Sequence, residues 1–182
     1  MNTEYQFDNL TLKICNETSV FHVLGFFQDN REYFDRYEPD KPDNFYTKEY
    51  VVKLLRSEYH AFLSGNFVRF YLYDNNIPNQ IIGTVSFSHI FNGAVKSCTI
   101  GYKVDHHYWR RGYCKRMLCA ALNILSTEKG MHRIEAYIHP DNIPSIEAVK
   151  SLGFTSEGTA HSYIQMNGQW QDHLRYVYIP KN

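Results

Sequence analysis

The stretch from Ile100 to Leu125, IGYKVDHHYWRRGYCKRMLCAALNIL, constrains the fold more than any other. An apolar strand, Thr99 to Val104, runs into a short turn carrying Arg110, Arg111 and Gly112. A helix over 112–129 follows at once, with Met117, Leu118, Ala121, Leu122 and Leu125 on one face, the three-and-four spacing of an amphipathic helix. A strand, a tight turn and a helix N-terminus in succession present unpaired backbone N–H groups and the positive end of a helix dipole. Gly112 has no Cβ, so a phosphate can approach the backbone closely. Arg110, Arg111, Lys115 and Arg116 add positive charge at the same place. Two readings remain open on these residues: a cradle for a pyrophosphate, or an ordinary turn with a solvated basic face.

The rest of the chain predicts alternating strands and helices. Phe7 to Ile14 alternates as a first strand, and Val20 to Tyr37 is helical with a break near Asp29-Asn30. Glu38 to Asp43, with two prolines, is a loop. Thr47 is a fair N-cap for a helix over 48–63. Strands are expected at 67–73, 81–90 and 95–104, with DNNIPN (74–79) as a turn and Asn92-Gly93 as a hairpin signal. Gly130 is a C-cap for the 112–129 helix. Strand 133–138 follows, then a helix over 143–152 with Pro144 in its first turn. Strands at 154–157, 162–166 and 173–179 close the chain, around a turn at Asn167-Gly168. The order β-α-α-β-β-β-α-β-α-β-β, without repeat or composition break, implies one α/β domain over 1–182 with a mixed, mostly antiparallel sheet flanked by helices.

Several spaced motifs then converge. Val104 ends its strand, and Tyr108-Trp109-Arg110-Arg111-Gly112-Tyr113-Cys114 forms the turn. Asn142 and Ser145 are followed by Leu152-Gly153-Phe154, then Glu157-Gly158, then Asn167-Gly168, Trp170, Asp172 and His173. Asn30-Arg31 and Tyr37-Glu38-Pro39 come earlier. Over residues 8–179 this chain resembles the GNAT superfamily of N-acetyltransferases, and within it the branch that acetylates the N-terminal alanine of ribosomal proteins. It departs from that branch's pattern at Arg110, where glycine is usual, at Cys114, where a smaller residue is usual, and at Tyr37, which replaces tryptophan.

The resemblance implies the GNAT acyltransferase fold and transfer of an acetyl group from acetyl-CoA to an amine, in a ternary complex and without a metal. It implies that Trp109, Arg110, Arg111, Gly112, Tyr113, Cys114 and Lys115 hold the donor's pyrophosphate. The strand end Tyr102, Lys103 and Val104 would pair with the pantetheine where that strand splays from strand 133–138, and a backbone N–H there would face the thioester oxygen. A bulge near the end of the strand usually accompanies this arrangement. Asn142 would bind the pantetheine, cap its helix, or do both, since its amide has several hydrogen-bonding atoms. Ser145 would protonate the leaving thiolate, or else be a plain first-turn serine. The tyrosine that many relatives place four residues later is Val149 here. Arg31, Tyr37 and Glu38 fall on the acceptor side, the acceptor tail passing between the 20–37 region and the loop 167–170.

No carboxylate lies inside strand 95–104, where some lysine-acetylating relatives keep a base, and Glu135, Glu157, His139 and His161 read as structural. An α-amine has a pKa of about 8, against about 10.4 for lysine, so the first needs much less help to become neutral. An N-terminal α-amine acceptor is therefore expected. The alternatives are a small-amine acetyltransferase, with Glu38, Asp40 and Asp43 as an acidic pocket, and a non-catalytic acyl-CoA binder.

Composition sets the outer bounds. Nineteen Lys and Arg balance nineteen Asp and Glu, so bulk charge makes no case for nucleic acid or an anionic membrane. No apolar run approaches a membrane span and no signal peptide precedes Tyr5. The four cysteines show no metal-ligand spacing, and a reduced, cytoplasmic enzyme is expected. Cys114 reads either as a thiol activated by the helix N-terminus or as a small residue in a packing slot. A homodimer is left open.

Overall fold

In the computed structural model, which describes residues 1–180, eight strands form one sheet in the order β1-β2-β3-β4-β5-β6-β8-β7. They are β1 (Glu4–Phe7), β2 (Leu10–Lys13), β3 (Val68–Asp74), β4 (Ile81–Phe91), β5 (Ser97–Val104), β6 (Arg133–Ile138), β7 (Thr155–Met166) and β8 (Gln169–Tyr178). The helices are α1 (Val20–Asp29), α2 (Arg31–Phe34), α3 (Lys48–Leu63), α4 (Tyr113–Glu128) and α5 (Ile143–Ser151). Every pairing is antiparallel except β5 with β6. That parallel pair requires a crossover, and α4 supplies it.

Alternation along the strands sends residues to two cores. Val68, Phe70 and Leu72 of β3 join Met117, Leu118, Ala121, Leu122 and Leu125 of α4, with Ile146 and Val149 of α5. Tyr71 points the other way, to Val23, Phe26 and Phe27 of α1 and Val51 and Leu55 of α3. Each large apolar side chain buried under α4 contributes about 1.5–3 kcal/mol.

The central feature is a parting of two strands. β5 and β6 pair only at Ser97–Arg133, Cys98–Ile134 and Thr99–Glu135. Beyond that point β5 keeps register with β4 as far as Val104, while β6 keeps register with β8 as far as Ile138. Each strand follows its outer neighbour, and a wedge opens between them.

Two expectations are corrected. The first strand is a hairpin, because Asp8 adopts φ 50° and turns the chain; Asp and Asn tolerate this conformation better than most residues. The two strands expected at 154–157 and 162–166 are one strand, β7. Its irregularities, at Gly158 (φ 100°) and Ser162 (φ 47°), are bulges opposite β8. The ladder from Thr99 to Val104 is unbroken, and the irregularity between β4 and β5 lies at Ser88/Phe91.

Candidate active site

The wedge holds a cavity of about 250 Å³. Its walls include Ile100, Gly101, Tyr102 and Lys103 from β5, Ala136, Tyr137 and Ile138 from β6, and His139, Asn142 and Ser145 from the following turn and α5. Tyr37, Glu38, Arg69 and Ser86 complete it. Asp105 N–H donates to Ile82 O at 2.9 Å. In an antiparallel ladder alternate residues bond across the pair, so Lys103 and Gly101 face β4 while Tyr102 and Val104 turn their backbone groups toward the wedge. Trp109 Nε1–H donates to Val104 O at 2.8 Å and so occupies that carbonyl.

At the far end of β5 the chain turns into α4. Asp105 caps the turn, accepting from His107 N–H at 2.9 Å. Asn30, fully buried, accepts from His106 N–H at 2.8 Å and donates to Phe26 O at 3.0 Å, which ties the break between α1 and α2 to this turn. Gly112 is the N-cap of α4 at φ 79°, with no side chain capping the helix. The first N–H groups of α4 therefore face outward as donors. Arg110 sits at φ 60°. That left-handed conformation accounts for the glycine usual at this position, and a side chain there costs about 1–2 kcal/mol.

The basic cluster divides. Arg110, Arg111 and Lys115 are exposed beside the turn. Arg116 bonds Asp8 and Asn9 of the first hairpin at 3.0 and 2.7 Å instead. Tyr113 donates its hydroxyl to Asp74 at 2.7 Å, and this bond, with burial, raises its pKa. Cys114 fills a packing slot: burial pushes its thiol up to about 12, so the activated-thiol reading is set aside.

On α5, Asn142 Oδ1 accepts from Ser145 N–H at 3.3 Å, so Asn142 caps the helix. Ser145 Oγ–H donates to Tyr102 Oη at 2.6 Å, and Tyr102 donates its own proton to Ser145 O at 2.9 Å. His139 Nδ1 accepts from Asp141 N–H at 3.2 Å, which places the proton of the neutral ring on Nε2.

Glu38 and Lys103, in the cavity wall, belong to a chain of ion pairs. Glu38 bonds Lys103 on one side and Lys41 at 2.8 Å on the other, and Lys41 reaches Asp35. Lys103 lies over the rings of Phe34 and Phe27 at 5.0 and 5.6 Å. Burial alone would raise the Glu38 carboxyl, but Lys103 and Lys41 outweigh it and hold it below the ordinary range. Burial pushes the Lys103 ammonium below the lysine range against the pull of Glu38.

Tyr37 and Glu38 thus meet Tyr102, Lys103, Asn142 and Ser145 around one cavity. Arg31 does not join them: it stacks on Tyr46 at 4.6 Å and pairs with Asp35 at 3.5 Å. The three acids of the 38–43 loop do not converge either. Glu38 is neutralised from two sides, Asp43 is exposed, and Asp40 accepts from Asn167 N–H and Gly168 N–H at 2.9 and 3.2 Å. Asp40 therefore bridges the two segments expected to flank the acceptor tail. Glu135 and Glu157 share Arg133, and His161 pairs with Asp172 at 2.8 Å. The sequence reading missed the phenol of Tyr102, the ring of His139 and the latch at Asp40. Their partners lie 43, 34 and 127 residues away for the Tyr102–Ser145, His139–His173 and Asp40–Asn167 contacts, beyond the reach of local pattern.

A mixed sheet opened between two parallel strands, with a helix N-terminus at one end of the opening and a cavity of about 250 Å³ inside it, is the architecture of an N-acetyltransferase. The chain belongs to the Acetyltransferase (GNAT) domain family, which matches residues 17–155, and enzymes of this family use acetyl-CoA. It is 27% identical to the [Ribosomal protein uS5]-alanine N-acetyltransferase of Escherichia coli (strain K12) over 169 residues, 92% of this chain and 86% of that one. It is 30% identical over 156 residues to Probable N-acetyltransferase YjcK of Bacillus subtilis (strain 168), 86% of each chain. The crystal structure of the ribosomal-protein-S5-alanine acetyltransferase from Vibrio fischeri superposes with a TM-score of 0.91 at 26% identity, covering 98% of this chain and 97% of that one. Among the described residues no helix is long and apolar enough to cross a membrane.

Proposed function

We propose that this enzyme acetylates the N-terminal α-amine of a protein whose first residue is Ala or Ser, a ribosomal protein being the best-supported class, by direct transfer from acetyl-CoA in the cytoplasm. The observation that carries the acceptor reading is the state of Glu38, the one carboxylate among the described residues lining the cavity. Glu38 is bound by two lysines and held ionised, so it is a poor proton acceptor for a lysine substrate. An α-amine with a pKa of about 8 is roughly one-tenth neutral at pH 7 and needs only a weak base. The names of the two ribosomal-protein enzymes point the same way.

In this reading Gly112 and the N–H groups of α4, with Arg110, Arg111 and Lys115, bind the pyrophosphate. Backbone groups of β5 facing the wedge pair with the pantetheine, and the Tyr102 N–H faces the thioester oxygen as charge develops there. The amide of Asn142, one oxygen lone pair taken by the helix cap, keeps its two N–H donors for the pantetheine. Ser145 gives its proton to the leaving sulfur. Tyr37 and Glu38 form the acceptor wall. The test is a mass-detected transfer assay over short peptides differing in their first residues, with a polyamine and an aminoglycoside included. Ala and Ser peptides are expected to react fastest. Acetylation of the small amines alone would return the enzyme to the small-amine class.

A further inference from the structure

A helical serine commonly turns its hydroxyl back onto a carbonyl three or four residues earlier. This chain follows that habit on α4 and α5. Ser126 Oγ donates to Leu122 O and Asn123 O, Thr127 Oγ1 to Asn123 O, and Ser151 Oγ to Ala148 O. Ser145 departs from it, donating across the wedge to Tyr102 at 2.6 Å. The phenol is held in turn by Ser145 O at 2.9 Å, so both of its hydrogen bonds go to one residue. Tyr102 comes from β5 and Ser145 from α5, and both line the cavity. Burial raises the Tyr102 pKa, with the Ser145 bond opposing. The phenol therefore stays protonated at neutral pH and offers one donor and an acceptor throughout.

We propose that Tyr102 is a positioning residue: its phenol keeps the Ser145 hydroxyl out of the helix and aimed into the cavity, where the donor's sulfur arrives. The inference rests on the role of Ser145 given above and adds the group that makes it available. When the tetrahedral adduct collapses, the C–S bond breaks and its electron pair goes to sulfur. Ser145 passes its proton to the sulfur and takes up the proton that the nitrogen gives up in becoming an amide. During the turn of Ser145 toward sulfur, the phenol donates to Ser145 Oγ in place of the carbonyl and keeps its own proton. Ser145 and Tyr102 end as they began.

The test compares four full-length proteins: wild type, Tyr102→Phe, Ser145→Ala and the double variant. Each is assayed for kcat and KM with acetyl-CoA and an Ala-first peptide. Ser145→Ala should lower kcat about a hundredfold, the low end for a general acid. Tyr102→Phe should lower it about tenfold, with KM for acetyl-CoA within about twofold, because the loss falls on a group used only in the transition state. The double variant should match Ser145→Ala, since a residue that acts only through Ser145 has nothing left to position. Effects that multiply, an unchanged kcat, or a loss confined to KM for acetyl-CoA would overturn the proposal. Tyr102→Leu serves as a second removal of the phenol should Tyr102→Phe not fold, and the same pattern is required of it. If wild type acetylates no peptide, the α-amine reading fails. The four proteins are then compared on the amine that is acetylated, where the positioning claim meets the same criteria.

Discussion

The two ends of the wedge are built on different principles. In the proposed reading the donor end is one continuous stretch, from β5 through the turn to α4, and the groups that would bind the donor are backbone N–H groups at an uncapped helix start. The proposed acceptor end is assembled from distant segments: Tyr37 and Glu38, Lys103 of β5, His139 after β6, and Asp40 bonded to the β7–β8 tip. Its chemistry is in side chains and ion pairs. A backbone site tolerates substitution as long as conformation and space are kept, which is why arginine stands at position 110 with φ 60°. A side-chain site depends on each partner.

The sharpest break of this comparison is Gly112→Glu. No atom outside the adjoining residues lies within 4 Å of where a Cβ would sit, so the fold has room there, while a carboxylate would meet the pyrophosphate. Coenzyme A affinity should fall by about a hundredfold or more, about 2.7 kcal/mol. Gly112→Ala carries the same left-handed strain of about 1–2 kcal/mol without the charge and should keep most of the affinity. Calorimetry showing equal losses for the two would mean that conformation, not charge, governs the donor end.

At the acceptor end, Asp40→Ala removes the bridge to Asn167 and Gly168. Peptide KM should rise roughly tenfold, equivalent to about 1.4 kcal/mol of acceptor binding, with acetyl-CoA affinity unchanged. A change in acetyl-CoA affinity instead would show that the two ends are not separable.

The ion pairs of Glu38 predict a pH dependence. The Glu38 carboxyl lies below its unfolded value of about 4.3. Its contribution to stability is therefore fully present above that value and is lost as pH falls through the folded pKa. Wild type should melt at progressively lower temperature as pH falls below about 4.3, and Glu38→Gln should flatten that slope. Parallel acid profiles for the two proteins would remove Glu38 from the account.

The smallest effect is expected at position 110. Arg110→Gly relieves a left-handed residue worth about 1–2 kcal/mol but gives up part of that through the greater freedom of the unfolded chain. The melting temperature should rise slightly, and coenzyme A affinity should fall no more than about threefold for an exposed cation. A large loss of affinity would make Arg110 a specific ligand of the donor.

The same contrast explains what was legible in the sequence. The strand 99–104, the turn and the helix 112–129 lie in one window, so period and glycine position revealed them to within two residues. The parting of β5 from β6 was also foreseen from the resemblance. Turn chemistry misled where it was subtle: Asp8 at φ 50° made a hairpin of an apparently continuous strand, and the stretch from Gly158 to Ser162 bent one strand where it seemed to separate two. Period two places Tyr102 and Lys103 on opposite faces of β5, but not that one meets Ser145 and the other Glu38. Arg31 stands next to Asn30 in the motif, yet only Asn30 is turned inward.

The central claim is that the wedge acetylates a free α-amine. The most direct measurement is the rate of acetyl transfer to two peptides of one sequence, beginning with Ala and containing one Lys, one free and one blocked at its N-terminus. The free peptide should react far faster, with a rate that rises with pH through about 8 as its amine loses its proton. Equal rates for the two peptides, with product on the lysine, would contradict the account.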